Sequence, residues 1–305
     1  MGAADAPALD EPAKLPVVVG VDGSEPSLRA AEWAADEAAL HGAPLRLVHA
    51  SLRERHEGWS MPHDPGKPPL EAMAEDIVVT AERRALRRRP EVETITQVLP
   101  EEAASGLVRE SCRALVIVLG CRGRSGVTES LLGSVSLTVA GRAHCPVIVL
   151  RGRHDTHIGP GAGGRIVLGV GAEPGHSAAA RFAVGEAVSR GVPVEAVRAW
   201  RRPLHEPRAH PLMAGRQAQV YEREAVELAE QAVRDAPAGL EVRRRTVEGF
   251  ARDALLAASR EAGLLVVGAR RRRGRPAFQL GRVAHGVLHH AACPVAVVPD
   301  VPEAV

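Results

Sequence analysis

Aromatic residues are scarce in this chain, which has three tryptophans, three phenylalanines and one tyrosine among 305 residues. Proteins that hold single-stranded nucleic acid stack its bases on aromatic side chains. The few aromatic residues of this chain cannot form such a surface. The net charge of +2 provides no general attraction to polyanions either. The arginine-rich segments 83–89 and 243–245 are therefore interpreted as solvated faces. We expect no nucleic acid partner.

Long apolar runs are also missing, since none approaches the roughly 20 residues that a membrane-spanning helix requires. Residues 1–11 are small and acidic and lack the basic and apolar regions of a secretory signal. The four cysteines show no C-x-x-C spacing, so neither a zinc site nor a redox pair is indicated. These absences predict a soluble, cytoplasmic protein without a membrane partner.

Sequence signatures of catalysis are absent too. The chain has no G-x-x-x-x-G-K-[ST] segment, so no lysine is placed for phosphoryl transfer. His285 and His289 have the i,i+4 spacing of metal ligands, but no carboxylate accompanies them. His49 follows a predicted strand and is interpreted as a hydrogen-bonded strand-end residue rather than a base. We therefore predict no catalytic residues and no metal site.

What the sequence does contain is an internal repeat, with corresponding segments 148 or 149 residues apart. Val18–Asp22 corresponds to Val167–Gly171, and Cys145–Leu150 corresponds to Cys293–Val298. A chain of this length is long enough to form two domains of about 150 residues each. We predict a flexible N-terminal tail at 1–14, a first domain at 15–151, a glycine-rich linker at 152–164 and a second domain at 165–300.

Short apolar runs alternate with helical patterns in each half. The runs are apolar on both faces, which is typical of strands buried in a parallel sheet. This alternation predicts an α/β fold with two Rossmann-like, doubly wound domains in tandem, each with a five-stranded parallel sheet. Segments 53–69 and 201–215 are interpreted as excursions beside the site. Helices are predicted at 71–88, 101–112, 135–142, 217–234, 250–260 and 283–290.

A glycine constellation follows one of these strands and reads Gly120-x2-Gly123-x9-Gly133-Ser134. A glycine-rich turn that leads into a helix N-terminus is a device for holding phosphates. The alternative is a tight turn whose glycines serve only the backbone angles. Ser134 and Asp22 favour nucleotide binding, although Asp22 could also cap the helix that follows it.

The second copy of this constellation is altered. It keeps Gly268 and Gly281 but has Arg271 and Arg282 where the first copy has Gly123 and Ser134, and Gly171 stands in place of Asp22. Three interpretations are open: a site that has lost its phosphate geometry, an anion site of a different kind built on arginines, or a solvated surface loop.

The strand with Gly20-Val-Asp22-Gly-Ser24, the glycine constellation and the segment Cys145-Pro-Val-Ile-Val together resemble the universal stress protein family. The resemblance is to its tandem form and covers nearly the whole chain apart from the tail and linker. It implies ATP as the ligand and leaves open whether Mg²⁺ accompanies it. The three replacements in the second copy indicate that ATP binds mainly in the first domain. The residues that the resemblance implies for ATP binding are Gly20, Asp22, Ala50, Gly120, Arg122, Gly123, Arg124, Gly133, Ser134, Val135 and Ser136.

The resemblance further implies a nucleotide-responsive regulatory protein of the stress response, with an unidentified regulatory protein as partner. A slow ATPase or nucleotidyl-transfer enzyme and a nucleotide-independent interaction module are the alternatives. Family members pair their domains through the last strand, so we expect Val147–Leu150 and Val295–Val298 to pair inside one chain. The resemblance thereby implies that an internal pseudo-twofold axis relates the two domains. A homodimer of tandem chains is a further possibility.

Overall fold

The protein is a single ten-stranded sheet with helices packed on both faces. The computed structural model describes residues 14–50, 70–121, 132–150, 164–173, 177–202, 211–269 and 280–300. The strands of the first half are β1 (Val17–Gly20), β2 (Leu45–Ala50), β3 (Thr94–Leu99), β4 (Val116–Gly120) and β5 (Val147–Leu150). Those of the second half are β6 (Arg165–Gly169), β7 (Val194–Trp200), β8 (Val242–Glu248), β9 (Ala262–Ala269) and β10 (Val295–Pro299).

Eight helices connect these strands in the described part of the chain. The first half contains α1 (Glu25–His41), α2 (Leu70–Arg88), α3 (Ala103–Glu110) and α4 (Ser134–Arg142). The second half contains α5 (Ala178–Arg190), α6 (Pro211–Ala232), α7 (Ala251–Ser259) and α8 (Arg282–His290).

The strand order across the sheet is β3-β2-β1-β4-β5-β10-β9-β6-β7-β8. Within each half all neighbouring strands are parallel, which confirms the predicted doubly wound domains with five strands each. The halves meet where β5 pairs antiparallel with β10, with Ile148 opposite Ala296. The prediction that the last strands pair inside one chain is therefore confirmed.

Two apolar layers hold the sheet between them. Side chains of α1, α2, α5 and α6 cover one face, and those of α3, α4, α7 and α8 cover the other. The central strands are buried on both sides, which explains why their sequences show no polar alternation. Helix α1 packs closely on the sheet because its inner face consists of small residues that have no exposed surface, namely Ala30, Ala31, Ala34, Ala35 and Ala38.

The structure corrects some predicted boundaries. Helix α6 begins at Pro211, inside the segment 201–215 that was interpreted as an excursion, while the segment 53–69 lies outside the described residues. Helix α3 ends at Glu110 and passes into a 3-10 turn at Ser111–Arg113, because the chain must turn at once to enter β4. Among the helices of the described ranges, none combines the length and apolar character needed to cross a bilayer.

Candidate nucleotide site

A pocket of about 360 Å³ opens beyond the carboxyl ends of β1, β2 and β4. The strand order reverses between β1 and β4, the point at which ligands bind in doubly wound sheets. The structure brings together in this pocket eight of the residues singled out from the sequence, namely Gly20, Asp22, Ala50, Gly120, Gly133, Ser134, Val135 and Ser136.

The remaining three predicted residues, Arg122, Gly123 and Arg124, lie outside the described part of the chain. The two ends of the segment that contains them are close together, because the amide of Gly133 donates a 2.8 Å hydrogen bond to the carbonyl oxygen of Cys121. Both ends of the glycine constellation are thus held at the rim of the pocket.

Asp22 is held in a compact turn between β1 and α1. Its Oδ1 accepts hydrogen bonds from the amide of Ser24 at 3.0 Å and from the hydroxyl of Ser24 at 2.6 Å. Ser24, not Asp22, is the N-cap of α1, and it accepts from the amide of Ser27. Gly23 between them has a φ of +79°, a conformation that favours glycine. The carboxylate of Asp22 is therefore fixed where it lines the pocket.

The N-terminus of α4 faces the pocket with backbone amides. Gly133 is the N-cap and makes no side-chain capping bond, and the first helical residue, Ser134, is exposed. The first amides of a helix have no partner within it and carry its positive dipole end. The hydroxyl of Ser136 donates to the carbonyl oxygen of Gly120, so a contact from Ser136 to a ligand would come from its backbone amide.

Packing gives Gly20 and Gly120 a role beyond contact with a ligand. A Cβ added at Gly120 would lie 2.8 Å from the backbone of Pro26 at the start of α1. One added at Gly20 would lie 2.8 Å from Leu119. The glycine at 120 therefore allows the first turn of α1 to cross directly over the end of β4.

Sequence reasoning missed the apolar wall of the pocket. Ala103 and Leu107 of α3 line it together with Val48 and Leu119 from the ends of two strands. No glycine or polar motif marks these positions, and only the apolar face of the third predicted helix could have indicated them. His49 also lines the pocket, and its Nδ1 donates a 2.8 Å hydrogen bond to the carbonyl oxygen of Val21, in agreement with its interpretation as a strand-end residue.

The architecture and the pocket agree with what comparison of the sequence reveals. The model of the universal stress protein family matches residues 15–151 and again residues 164–299. The chain belongs to the universal stress protein family. It is of the tandem type, since the two matches together span nearly all of it.

Full-length relatives have the same tandem organisation. The universal stress protein Rv2623 of Mycobacterium tuberculosis is 30% identical over 300 residues, which cover 93% of this chain and 96% of the relative. The crystal structure of a universal stress protein from Archaeoglobus fulgidus covers 94% of this chain and 98% of its own, with 17% identity and a TM-score of 0.61. Another structure from that organism, solved in complex with dAMP, covers 45% of this chain and 97% of its own, with 25% identity and a TM-score of 0.33.

The second universal stress protein domain has a smaller and differently charged pocket, of about 240 Å³. Gly171 lines it at the position equivalent to Asp22, while Glu173 and Asp300 add two carboxylates. Arg198 takes the place of His49 and donates its own 3.1 Å hydrogen bond to the carbonyl oxygen of Val170. Arg282, the equivalent of Ser134, is exposed at the start of α8, and Arg271 lies outside the described residues.

Proposed function

We propose that this universal stress protein binds ATP in the pocket of its first domain and acts as a nucleotide-responsive regulatory protein. The observation that carries the proposal is the convergence of Asp22, Ala50 and the first turn of α4 on one cavity of about 360 Å³. That volume lies within the range of about 300–1,000 Å³ typical of small-molecule sites. The regulatory role would be exerted on a protein partner, through a change in conformation or assembly that follows ATP occupancy.

The pocket has a different chemical character at its two ends. The amides at the start of α4 and the N-cap Gly133 suit the phosphates. The apolar side chains Leu107, Leu119 and Val48 suit the base, with Asp22 and Ala50 against adenine and ribose. Arg122, Gly123 and Arg124 are assigned to the phosphates by resemblance, as part of the same proposal.

Mg²⁺ fits this pocket only as a companion of the phosphates. Asp22 is the single carboxylate among the described residues that line the pocket, and its Oδ1 accepts two hydrogen bonds from Ser24. Mg²⁺ keeps several waters and commonly binds through substrate phosphates and one or two carboxylates. The residues present therefore suit Mg²⁺ that arrives with ATP, rather than a cage built by the protein.

We further propose that the second domain does not bind ATP. Its pocket is smaller, and Glu173 and Asp300 bring two carboxylates to it against the one guanidinium of Arg198. Carboxylates near a triphosphate repel it, and the cost rises where water is excluded. The second domain would instead provide the pairing strand β10 and the scaffold for the first.

Ala50 and Ala199 offer a matched test of this assignment. They occupy equivalent positions near the ends of β2 and β7, each lines the pocket of its own domain, and both are half-buried. In the full-length protein, Ala50→Leu fills the first pocket, and we expect ATP affinity to fall at least about tenfold, a loss of about 1.4 kcal/mol. Ala199→Leu fills the second pocket and should leave ATP affinity unchanged.

Calorimetric titration with ATP measures both variants, with thermal unfolding as the control for folding. Equal loss of affinity in both variants, or loss only in Ala199→Leu, would place the site elsewhere. Incubation with labelled ATP separates a sensor from an enzyme: retention of one ATP per chain supports the regulatory role, while sustained turnover contradicts it.

A further inference from the structure

Four titratable side chains, three of them buried, meet where the two domains touch through α1 and α5. Glu37 and His41 come from α1, and Glu186 and Arg190 come from α5. The side chains of Glu37, Glu186 and Arg190 are 1%, 3% and 3% exposed, and that of His41 is 22% exposed. We name these four residues the interdomain cluster.

The interdomain cluster joins equivalent positions of the two domains. Glu37 and Glu186 are equivalent positions of the repeat, 149 residues apart, and so are His41 and Arg190. One domain therefore contributes a carboxylate with an imidazole, and the other contributes a carboxylate with a guanidinium. The difference matters because imidazole nitrogen binds transition metals, whereas guanidinium does not.

The donor atoms divide into two groups. Arg190 donates to Oε2 of both carboxylates, at 2.8 Å to Glu186 and also to Glu37. The two Oε1 atoms face His41 instead, and its Nε2 lies 3.2 Å from Oε1 of Glu186 and 3.3 Å from Oε1 of Glu37. Two oxygens and one nitrogen thus point toward a common position, opposite the guanidinium.

Hydrogen bonding within the interdomain cluster leaves one of these atoms unused. Oε1 of Glu37 is buried and has no hydrogen-bond partner, although Nε2 of His41 is close to it. Its close partner is Nε2 of His41, in an ion pair of 3.3 Å, and a buried carboxylate oxygen without a hydrogen bond is costly. Its neighbour Oε1 of Glu186 takes the hydrogen bond of His41. A metal ion in the place of the imidazole proton would contact both oxygens at once.

We propose that Glu37, His41 and Glu186 bind a divalent transition-metal ion of the zinc type, which bridges the two domains. Zinc bonds to nitrogen and oxygen are about 2.0–2.1 Å long, so tetrahedral ligand atoms lie about 3.3 Å apart. The two separations at His41 are 3.2 Å and 3.3 Å. Three protein ligands leave one position for water, and Arg190 holds the outer oxygens of both carboxylates.

The charges suit such an ion. Hydrogen bonds to Glu186 and Glu37 raise the pKa of His41 to about 10, so in the metal-free cluster an imidazolium and a guanidinium balance the two carboxylates. A bound dication takes the place of the imidazole proton, and the two carboxylates and the guanidinium then leave a single negative charge to face it. Imidazole together with carboxylates favours zinc and its neighbours over magnesium, which prefers oxygen ligands alone. Within the described ranges, these three residues are the one group of three metal-ligating side chains whose donor atoms lie within 4.8 Å of one another.

The test uses full-length protein, freed of metal with a chelator and titrated with Zn²⁺ or with Co²⁺ as a spectroscopic probe. We expect one ion per chain by elemental analysis, a tetrahedral visible absorption with Co²⁺ and a rise in melting temperature with Zn²⁺. His41→Arg copies the residue of the second domain, so it keeps a cation beside both carboxylates while removing the ligand nitrogen. It should weaken Zn²⁺ affinity at least about 100-fold.

Two further variants make the outcome decisive. Glu186→Gln removes a ligand by a different route, so the conclusion does not depend on one variant folding. His285→Ala is the control. It breaks the His285–His289 pair, whose ring centroids are 4.5 Å apart and in which His285 is exposed, and it should bind Zn²⁺ as the wild type does. Absence of metal uptake, or equal uptake by wild type and both cluster variants, would show that the interdomain cluster is an ion-pair network only.

Discussion

The hydroxyl of Ser136 donates a 2.8 Å hydrogen bond to the carbonyl oxygen of Gly120. This bond joins the first turn of α4 to the last residue of β4, and Ser136 is buried. It therefore sets the position of the helix N-terminus over the pocket. The second domain has Ala284 at the equivalent position, so this connection exists in the first domain alone.

Ser136→Ala should destabilise the protein and weaken ATP binding. The variant leaves a buried carbonyl oxygen without its donor, which costs about 1–3 kcal/mol. Urea unfolding measures the loss, and calorimetry measures the accompanying fall in ATP affinity. Ser134→Ala is the control for stability, because Ser134 is exposed and its loss should change the free energy of unfolding by less than about 0.5 kcal/mol. Equal stability of the two variants would contradict this role of Ser136.

Gly120→Ala should be far more damaging than Gly268→Ala, although the two glycines are equivalent. The new Cβ lies 2.8 Å from the Pro26 backbone in the first case and 3.7 Å from Cβ of Ala179 in the second. The first requires α1 to move, at a cost of about 1–3 kcal/mol, whereas the second is an ordinary contact. Chemical denaturation of both variants checks the difference, and similar midpoints would show that the close approach at Gly120 can relax freely.

Gly123→Arg transfers to the first domain the residue that the second domain has at this position. We expect ATP binding to be lost, since arginine is far bulkier than glycine, while the melting temperature without ligand stays near that of the wild type, since the second domain carries arginine at the equivalent position. Calorimetry measures ATP binding, and thermal unfolding measures the melting temperature. If the variant bound ATP with wild-type affinity, Gly123 would not be part of the ATP site.

The cysteines should differ sharply in reactivity. Burial raises the pKa of Cys145 and of Cys293 to about 12, whereas Cys112 is exposed. The thiolate is the reactive form, and burial favours the neutral thiol. At pH 8 the two buried thiols should therefore resist a thiol reagent while Cys112 reacts, and all four should react after denaturation. Rapid labelling of Cys145 in the native protein, located by peptide mass spectrometry, would contradict this prediction.

The fold could be predicted from the sequence because its helix and strand patterns are local and each occurs twice in the chain. Apolar runs, helical patterns and the repeat predicted both domains, and the family resemblance predicted the pairing of β5 with β10, which the structure confirms. Gly120 shows the limit of such prediction. The sequence indicated that this glycine is important, but the reason is its close approach to the backbone of Pro26, 94 residues earlier in the chain. The site residues stay predictions, although eight of them line one pocket.

The interdomain cluster could not have been found from local patterns. Glu37 and His41 are four residues apart on one helix, a common and uninformative spacing. Their partners Glu186 and Arg190 belong to the other domain, and only the antiparallel joining of the two halves brings α1 and α5 into contact. The interdomain cluster therefore depends on the packing of α1 against α5, which local sequence patterns do not predict.

The central claim is that one domain of the two binds ATP, and calorimetric titration of the full-length wild-type protein with ATP in the presence of Mg²⁺ tests it most directly. The account predicts a stoichiometry of one ATP per chain. Two ATP per chain would contradict the asymmetry between the domains, and the absence of any binding heat together with an unchanged melting temperature would contradict the nucleotide site itself.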